Sequence, residues 1–130
     1  MKKSMKIILI CAGVFIIAII VLGIIVTDGL SEGMRVSVNS VDLSNIPDGS
    51  YIGSYEFKRW SNSVVVHVSN KSITGIEMNE DVFGAAVTDA FGEIVNRVID
   101  EQDTTVDAVS GATVTSKAYL KAIEDALTPR

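Results

Sequence analysis

Val64-Val65-Val66-His67-Val68-Ser69-Asn70-Lys71-Ser72-Ile73-Thr74-Gly75-Ile76-Glu77-Met78 decides what kind of domain this chain builds. Residues 64–69 are mostly valine and read as a strand, and residues 73–78 resume the β-branched pattern. Asn70, Lys71 and Ser72 supply the tight polar turn between them. Strands joined so closely must run antiparallel, because a parallel pair needs a crossover of a dozen residues or more. Upstream, residues 50–58 carry Tyr51, Ile52, Tyr55 and Phe57 and read as a first strand, with Gly53 marking a bulge or a close backbone approach. Pro47, Asp48 and Gly49 open the domain as a turn, and residues 60–63 connect the first strand to the second. The expectation is a three-stranded antiparallel meander.

Two amphipathic segments follow. Asn79, Glu80 and Asp81 read as a helix start, a capping side chain followed by acids at the positive end of the dipole. Val87, Phe91, Ile94, Val95 and Val98 then repeat with helical spacing and should face the sheet, although Gly84 and Gly92 weaken that helix. Asp100, Glu101, Gln102 and Asp103 close it. A last helix is expected over roughly 116–127. Its apolar pairs are Ala118 and Tyr119, Ala122 and Ile123, Ala126 and Leu127, with Lys117, Lys121, Glu124 and Asp125 on the wet side and Pro129 as the stop. The fold class expected is α+β: a small antiparallel meander packed against two helices.

Before this domain, residues 7–26 contain no charge and are broken only by Gly13 and Gly23. At 1.5 Å per residue they span about 30 Å, the thickness of a bilayer's hydrocarbon core. Lys2, Lys3 and Lys6 precede the run, while Asp28 and Glu32 follow, so the positive-inside bias puts the amino terminus in the cytoplasm. A cleaved signal peptide is the competing reading. Its apolar core would be shorter, and residues 27–33 offer no small-x-small site, which favours an uncleaved anchor. The organisation expected is a basic cytoplasmic start (1–6), a transmembrane anchor (7–26), a linker (27–46) and an extracytoplasmic domain (47–130). Within the linker, residues 35–41 alternate apolar and polar and suggest a short strand.

Beyond residue 26 lie all sixteen acidic residues and only eight of the eleven basic ones. Such a negative surface argues against nucleic acid and against adhesion to anionic headgroups. The sole cysteine, Cys11, sits inside the apolar run, so the outer domain has no disulfide, thiolate metal site, iron–sulfur cluster or c-type haem. His67 is the only imidazole, on the strand face opposite Val64, Val66 and Val68. With no base beside any hydroxyl, a self-contained hydrolase is not expected. The acids 101, 103 and 107 lack the glycine-containing loop of a calcium site, and no metal site is assigned.

What remains is Asp107-Ala108-Val109-Ser110-Gly111-Ala112-Thr113-Val114-Thr115-Ser116. Gly111 lets the backbone approach a ligand closely, and the start of the following helix offers unpaired N–H groups that favour an anion. Ser110, Thr113, Thr115 and Ser116 add hydroxyls. An ordinary account stays open: Thr115 or Ser116 caps the helix and Gly111 turns the chain.

Asp107-x-x-Ser110-Gly111-Ala112-Thr113-x-Thr115-Ser116 resembles the flavinylation motif of the FMN-binding domain family. That family includes the extracytoplasmic FMN-carrying subunits of sodium-pumping NADH:quinone reductase and of related electron-transport complexes. The resemblance extends to residues 48–53 as an opening strand, 64–78 as a hairpin and 118–127 as a closing helix, about residues 47–127 in all. It implies that a flavin transferase uses FAD to join FMN through its phosphate to Thr113. Asp107, Ser110, Gly111 and Ala112 then surround the acceptor, and Thr115 and Ser116 continue the motif. The sequence departs from the family at residues 79–86, where many members carry a Glu-Thr-Pro-Gly-like loop. Contacts that such a loop makes to the flavin ring are therefore not carried over. Tyr51, Tyr55, Phe57 and Trp60 are candidates to cover the ring, although each also suits a meander core. The implied protein is a membrane-anchored flavoprotein that passes electrons among redox partner proteins, more a carrier than a stand-alone enzyme. The alternative is an anchored binding or structural module without cofactor, the Ser-Gly-Ala-Thr loop being only a helix cap.

Overall fold

The computed structural model describes residues 2–79 and 88–128. The chain divides into two compact units, Met1–Ser31 and Glu32–Arg130. The first is dominated by helix α1 (Lys2–Thr27), none of whose residues is buried. It is long and apolar enough to cross a membrane. A six-residue helix, α2 (Leu30–Arg35), follows.

The second unit holds the meander: β1 (Gly49–Tyr55), β2 (Asn62–Ser69) and β3 (Ser72–Met78), antiparallel and in that spatial order. Ser69 pairs with Ser72 across a two-residue turn in which Asn70 and Lys71 both take positive φ (51° and 61°). That geometry matches the right-handed twist of the flanking strands. Two helices cover one face: α3 (Thr88–Glu101) lies against β3, and α4 (Thr113–Leu127) lies across β1 and β2. The fold is α+β, as the sequence pattern indicates.

Alternation in the strands decides the core. Val64, Val66 and Val68 turn inward, joined by Ile73 and Ile76, and meet Ile94 and Val98 of α3 and Tyr119, Leu120, Ala122, Ile123, Ala126 and Leu127 of α4. Each aliphatic side chain so buried stabilises the fold by roughly 1.5–3 kcal/mol against leaving it in water. Gly53 is where β1 and α4 touch. A Cβ built there would lie 2.0 Å from the Ala122 carbonyl oxygen, so only glycine lets the helix settle on the sheet. Both sheet margins are partly closed by side chains. Gln102, itself at φ 54°, accepts from Ile73 N–H (2.7 Å) and donates to Ile73 C=O (3.0 Å), imitating a fourth strand. On β1, the Ser54 N–H donates to the Asp125 carboxylate at 2.9 Å.

Several sequence expectations shift. The first strand ends at Tyr55, and a 3-10 turn, Lys58–Trp60, follows it instead of more strand. Asn62 and Ser63 belong to β2. No strand forms over 35–41. Arg35 ends α2, and residues 36–41 form a strap: Val36 N–H bonds Gly33 C=O (3.4 Å), Asn39 N–H and its amide group bond both Glu124 carboxylate oxygens (3.1 Å each), and Val41 N–H bonds Asp103 (3.2 Å). Alternating residues without a neighbouring strand make a strap. Of the expected start of α3, Glu80 and Asp81 lie outside the described residues, with Gly84 and Val87. Finally, α4 begins at Thr113, three residues before the expected start.

Candidate functional site

The loop between α3 and α4 is built to present the head of α4. Arg97 on α3 donates to the Asp107 carbonyl at 2.7 Å, fixing the loop's entry, and pairs with Glu93 one turn back. Asp107, Ser110 and Gly111 are exposed. Gly111 takes φ +80°, and a turn closes with Ala112 N–H donating to Val109 C=O at 3.0 Å. Nothing stands within 4 Å of where a Gly111 side chain would point, so a ligand can approach that backbone.

Ala112 is the N-cap residue and makes no side-chain cap bond. The first backbone bond of the helix runs from Ser116 N–H to Ala112 C=O (2.8 Å). Among the described residues the amides of Thr113, Val114 and Thr115 therefore have no acceptor. Thr113 opens this helix, half-buried, with its hydroxyl at the dipole's positive end. Neither Thr115 nor Ser116 caps the helix. Thr115 is half-buried within the first turn, and Ser116 is fully buried, its Oγ accepting from Val109 N–H at 3.0 Å. Ser116 thus locks the loop onto the helix.

α4 runs antiparallel to β1, because Gly53 meets Ala122 and Ala126 while Asn62, opposite Tyr55, meets Ala118. Its head consequently sits at the Tyr55 and Asn62 end of the sheet. There, three aromatic rings line up: Tyr55 and Phe57 at 6.2 Å between centroids, Phe57 and Trp60 at 5.9 Å and 18° between planes. Tyr51 instead turns to the core's edge and donates to Pro47 C=O at 2.5 Å. Asn62 is only 7% exposed. Its Nδ2 donates to Trp60 C=O (3.2 Å) and Ala118 C=O (3.0 Å), while Oδ1 finds no donor among the described residues. A buried acceptor in that condition costs about 1–3 kcal/mol.

Strap and loop are tied together beneath this head. Gly33 packs on Val114, where a Cβ would come within 2.4 Å of Cγ1, and Lys117 Nζ donates to Met34 C=O. Asp103 holds Ser40 Oγ, Val41 N–H, Thr104 N–H and Thr105 Oγ. Burial pushes the Asp103 carboxyl up, but those hydrogen bonds outweigh it and hold the group below its ordinary 3.8. His67 lies on the outer sheet face as expected, but, against the expectation that no base neighbours a hydroxyl, its Nδ1 shares a hydrogen bond with Ser50 Oγ (2.7 Å) and its Nε2 lies 3.5 Å from Glu77; strand pairing of Ser50 with His67 brings them together.

Sequence reasoning did not single out Asn62, Arg97 or Gly33. Nothing local marks the first, which reads as loop. The other two matter only through partners 10 and 81 residues away.

In this α+β domain the exposed Ser110 and Gly111 thus lead through Ala112 into a threonine at an uncapped helix head, at the same end of the sheet as the aromatic row. The family model of the FMN-binding domain matches residues 61–128, over half of the chain, and the chain belongs to that family. No curated protein matches it. Its role is flavin binding, with FMN as cofactor. The residues present fit that group. The unpaired amides and the Thr113 hydroxyl suit its phosphate, and the aromatic row suits its ring.

Proposed function

We propose that this protein is a membrane-anchored extracytoplasmic electron carrier holding FMN by a phosphoester on Thr113. The observation carrying this reading is Thr113 itself, the first residue of a 15-residue helix whose cap position makes no side-chain bond. Attachment forms a bond from Thr113 Oγ to the FMN phosphorus of FAD and breaks the pyrophosphate linkage. AMP leaves, and the hydroxyl proton passes to solvent or to a base of the flavin transferase. The product keeps one negative charge on phosphorus, which the helix head stabilises. Asp107 and Ser110, exposed on the preceding loop, are available to the transferase.

Bound FMN supplies one- and two-electron transfer; the chain supplies tethering, orientation and surroundings. Outside the membrane a dissociable flavin is lost to bulk solvent, and a covalent link prevents that without a deep pocket. Helix α1, with Lys2, Lys3 and Lys6 at its start, serves as a single-pass anchor with a cytoplasmic amino terminus. The partners are the membrane, the transferase and redox proteins of a membrane chain. The cofactor-free alternative, a loop that merely caps a helix, has no cap bond to support it.

Co-expression with a flavin transferase followed by intact-mass measurement tests the attachment. An FMN adduct mapped to the peptide containing Thr113, and lost in Thr113→Ala, is expected. An adduct that survives this substitution would place the link elsewhere. Reduction of the bound flavin by membranes, without turnover of a small substrate, tests the carrier role.

A further inference from the structure

We infer that Lys117 is the counter-ion of the phosphoester on Thr113, an inference that rests on the attachment proposed above. The two residues stand four apart in α4 and so share a face, with Cβ atoms about 5–6 Å apart. Long side chains on a helix lean back over the turn N-terminal to their own Cα, which directs the Lys117 stem toward Thr113. Helix α2 supports this placement. Met34 C=O accepts from Lys117 Nζ, and the neighbouring Gly33 packs on Val114, the residue after the acceptor.

Among the cations of α3 and α4 this lysine stands apart. Lys121 pairs with Glu124 at 3.0 Å, and Arg97 pairs with Glu93. Lys117 is held only by a neutral carbonyl and forms no carboxylate pair among the described residues. An ammonium has three donors, so two remain, together with a whole positive charge. In a chain with sixteen acidic residues and eleven basic ones, an uncompensated cation one turn from the acceptor hydroxyl suits an incoming anion. During attachment, charge builds on the phosphoryl oxygens as the Thr113 Oγ–phosphorus bond forms and AMP departs. The ammonium stabilises that charge, then remains bound to the monoanionic product. The Met34 carbonyl keeps the amine at the helix head before FAD arrives.

The test uses the full chain with a flavin transferase and FAD, following adduct mass over time. Lys117→Gln should load about tenfold more slowly, the scale of one charge-assisted hydrogen bond, and Lys117→Arg should recover most of the rate. The 31P resonance of the loaded protein should move in the glutamine variant and stay put in Lys121→Gln. Wild-type loading of the glutamine variant with an unmoved 31P resonance overturns the inference. So does an arginine variant as slow as the glutamine one, which would mean the lysine only braces the strap. Should the glutamine variant not fold, a 1H–31P Overhauser contact between the Lys117 side chain and the phosphoester in loaded wild-type protein decides, and its absence refutes the pairing. Peptide mapping of wild-type protein separates these results from failure of the Thr113 attachment itself.

Discussion

Replacing Gly53 by alanine drives a methyl group between two backbones. The added Cβ would sit 2.0 Å from Ala122 O, 2.4 Å from Ala126 N and 2.7 Å from Ala126 Cβ, whereas ordinary contact begins near 3.4 Å. Strand β1 and helix α4 must therefore separate by about 1.4 Å, since neither obstructing backbone atom can swing aside as a side-chain end would. Overpacking a core commonly costs about 1–3 kcal/mol, and an obstruction made of main chain belongs at the upper end. At about 3 kcal/mol, a domain of this size should lose roughly 12 °C or more in melting temperature. The single tryptophan, Trp60, lies in the turn after β1 and reports unfolding by fluorescence in the detergent-solubilised chain. Gly75→Ala is the internal control: its Cβ meets only His67 Cδ2 at 3.5 Å, and its cost should stay within about 0.5 kcal/mol. If Gly53→Ala melts within about 3 °C of wild type, the close contact does not determine how α4 is seated.

Ser116→Ala strips Val109 N–H of its buried acceptor and should cost about 1–3 kcal/mol in urea titration, with slower FMN loading because the acceptor loop loosens. Asp103 makes stability depend on pH. Its folded-state value lies below the unfolded one, so its contribution is complete above pH 3.8 and fades as pH falls through the depressed value. Denaturant midpoints should fall on acidification below that point, and Asp103→Asn should flatten the fall. Gly33→Val pushes the strap off Val114. Faster hydrogen exchange at the amides of residues 36–41 should report it, with the meander's own protection unchanged.

The meander was legible because valine-rich alternation and a short polar turn leave little choice of pairing; β3 begins one residue and β2 two residues before the pattern put them. Gly53 was legible as a bulge or a close approach; the structure shows the approach, of Ala122 and Ala126, which the sequence did not name. The head of α4 was misplaced by three residues because its cap is Ala112, outside the usual Ser, Thr, Asp and Asn set, so the hydroxyls at 115 and 116 drew the boundary inward. Asn62 was hidden by an unexpectedly long β2, which places it opposite Tyr55 and turns it toward α4. The strap shows the same limit of local reading. Its alternation was visible, but the carboxylates that satisfy it, on Asp103 and Glu124, lie more than 60 residues away.

Gln102 and Asp125 carry a consequence for crowding. Copies at high local concentration meet often, and a naked strand margin invites them to zip into fibres. One amide side chain occupies both main-chain groups of Ile73, and one carboxylate occupies the Ser54 amide. An intruding strand would have to evict these plugs before forming its own ladder, so folded domains can crowd one another and stay separate.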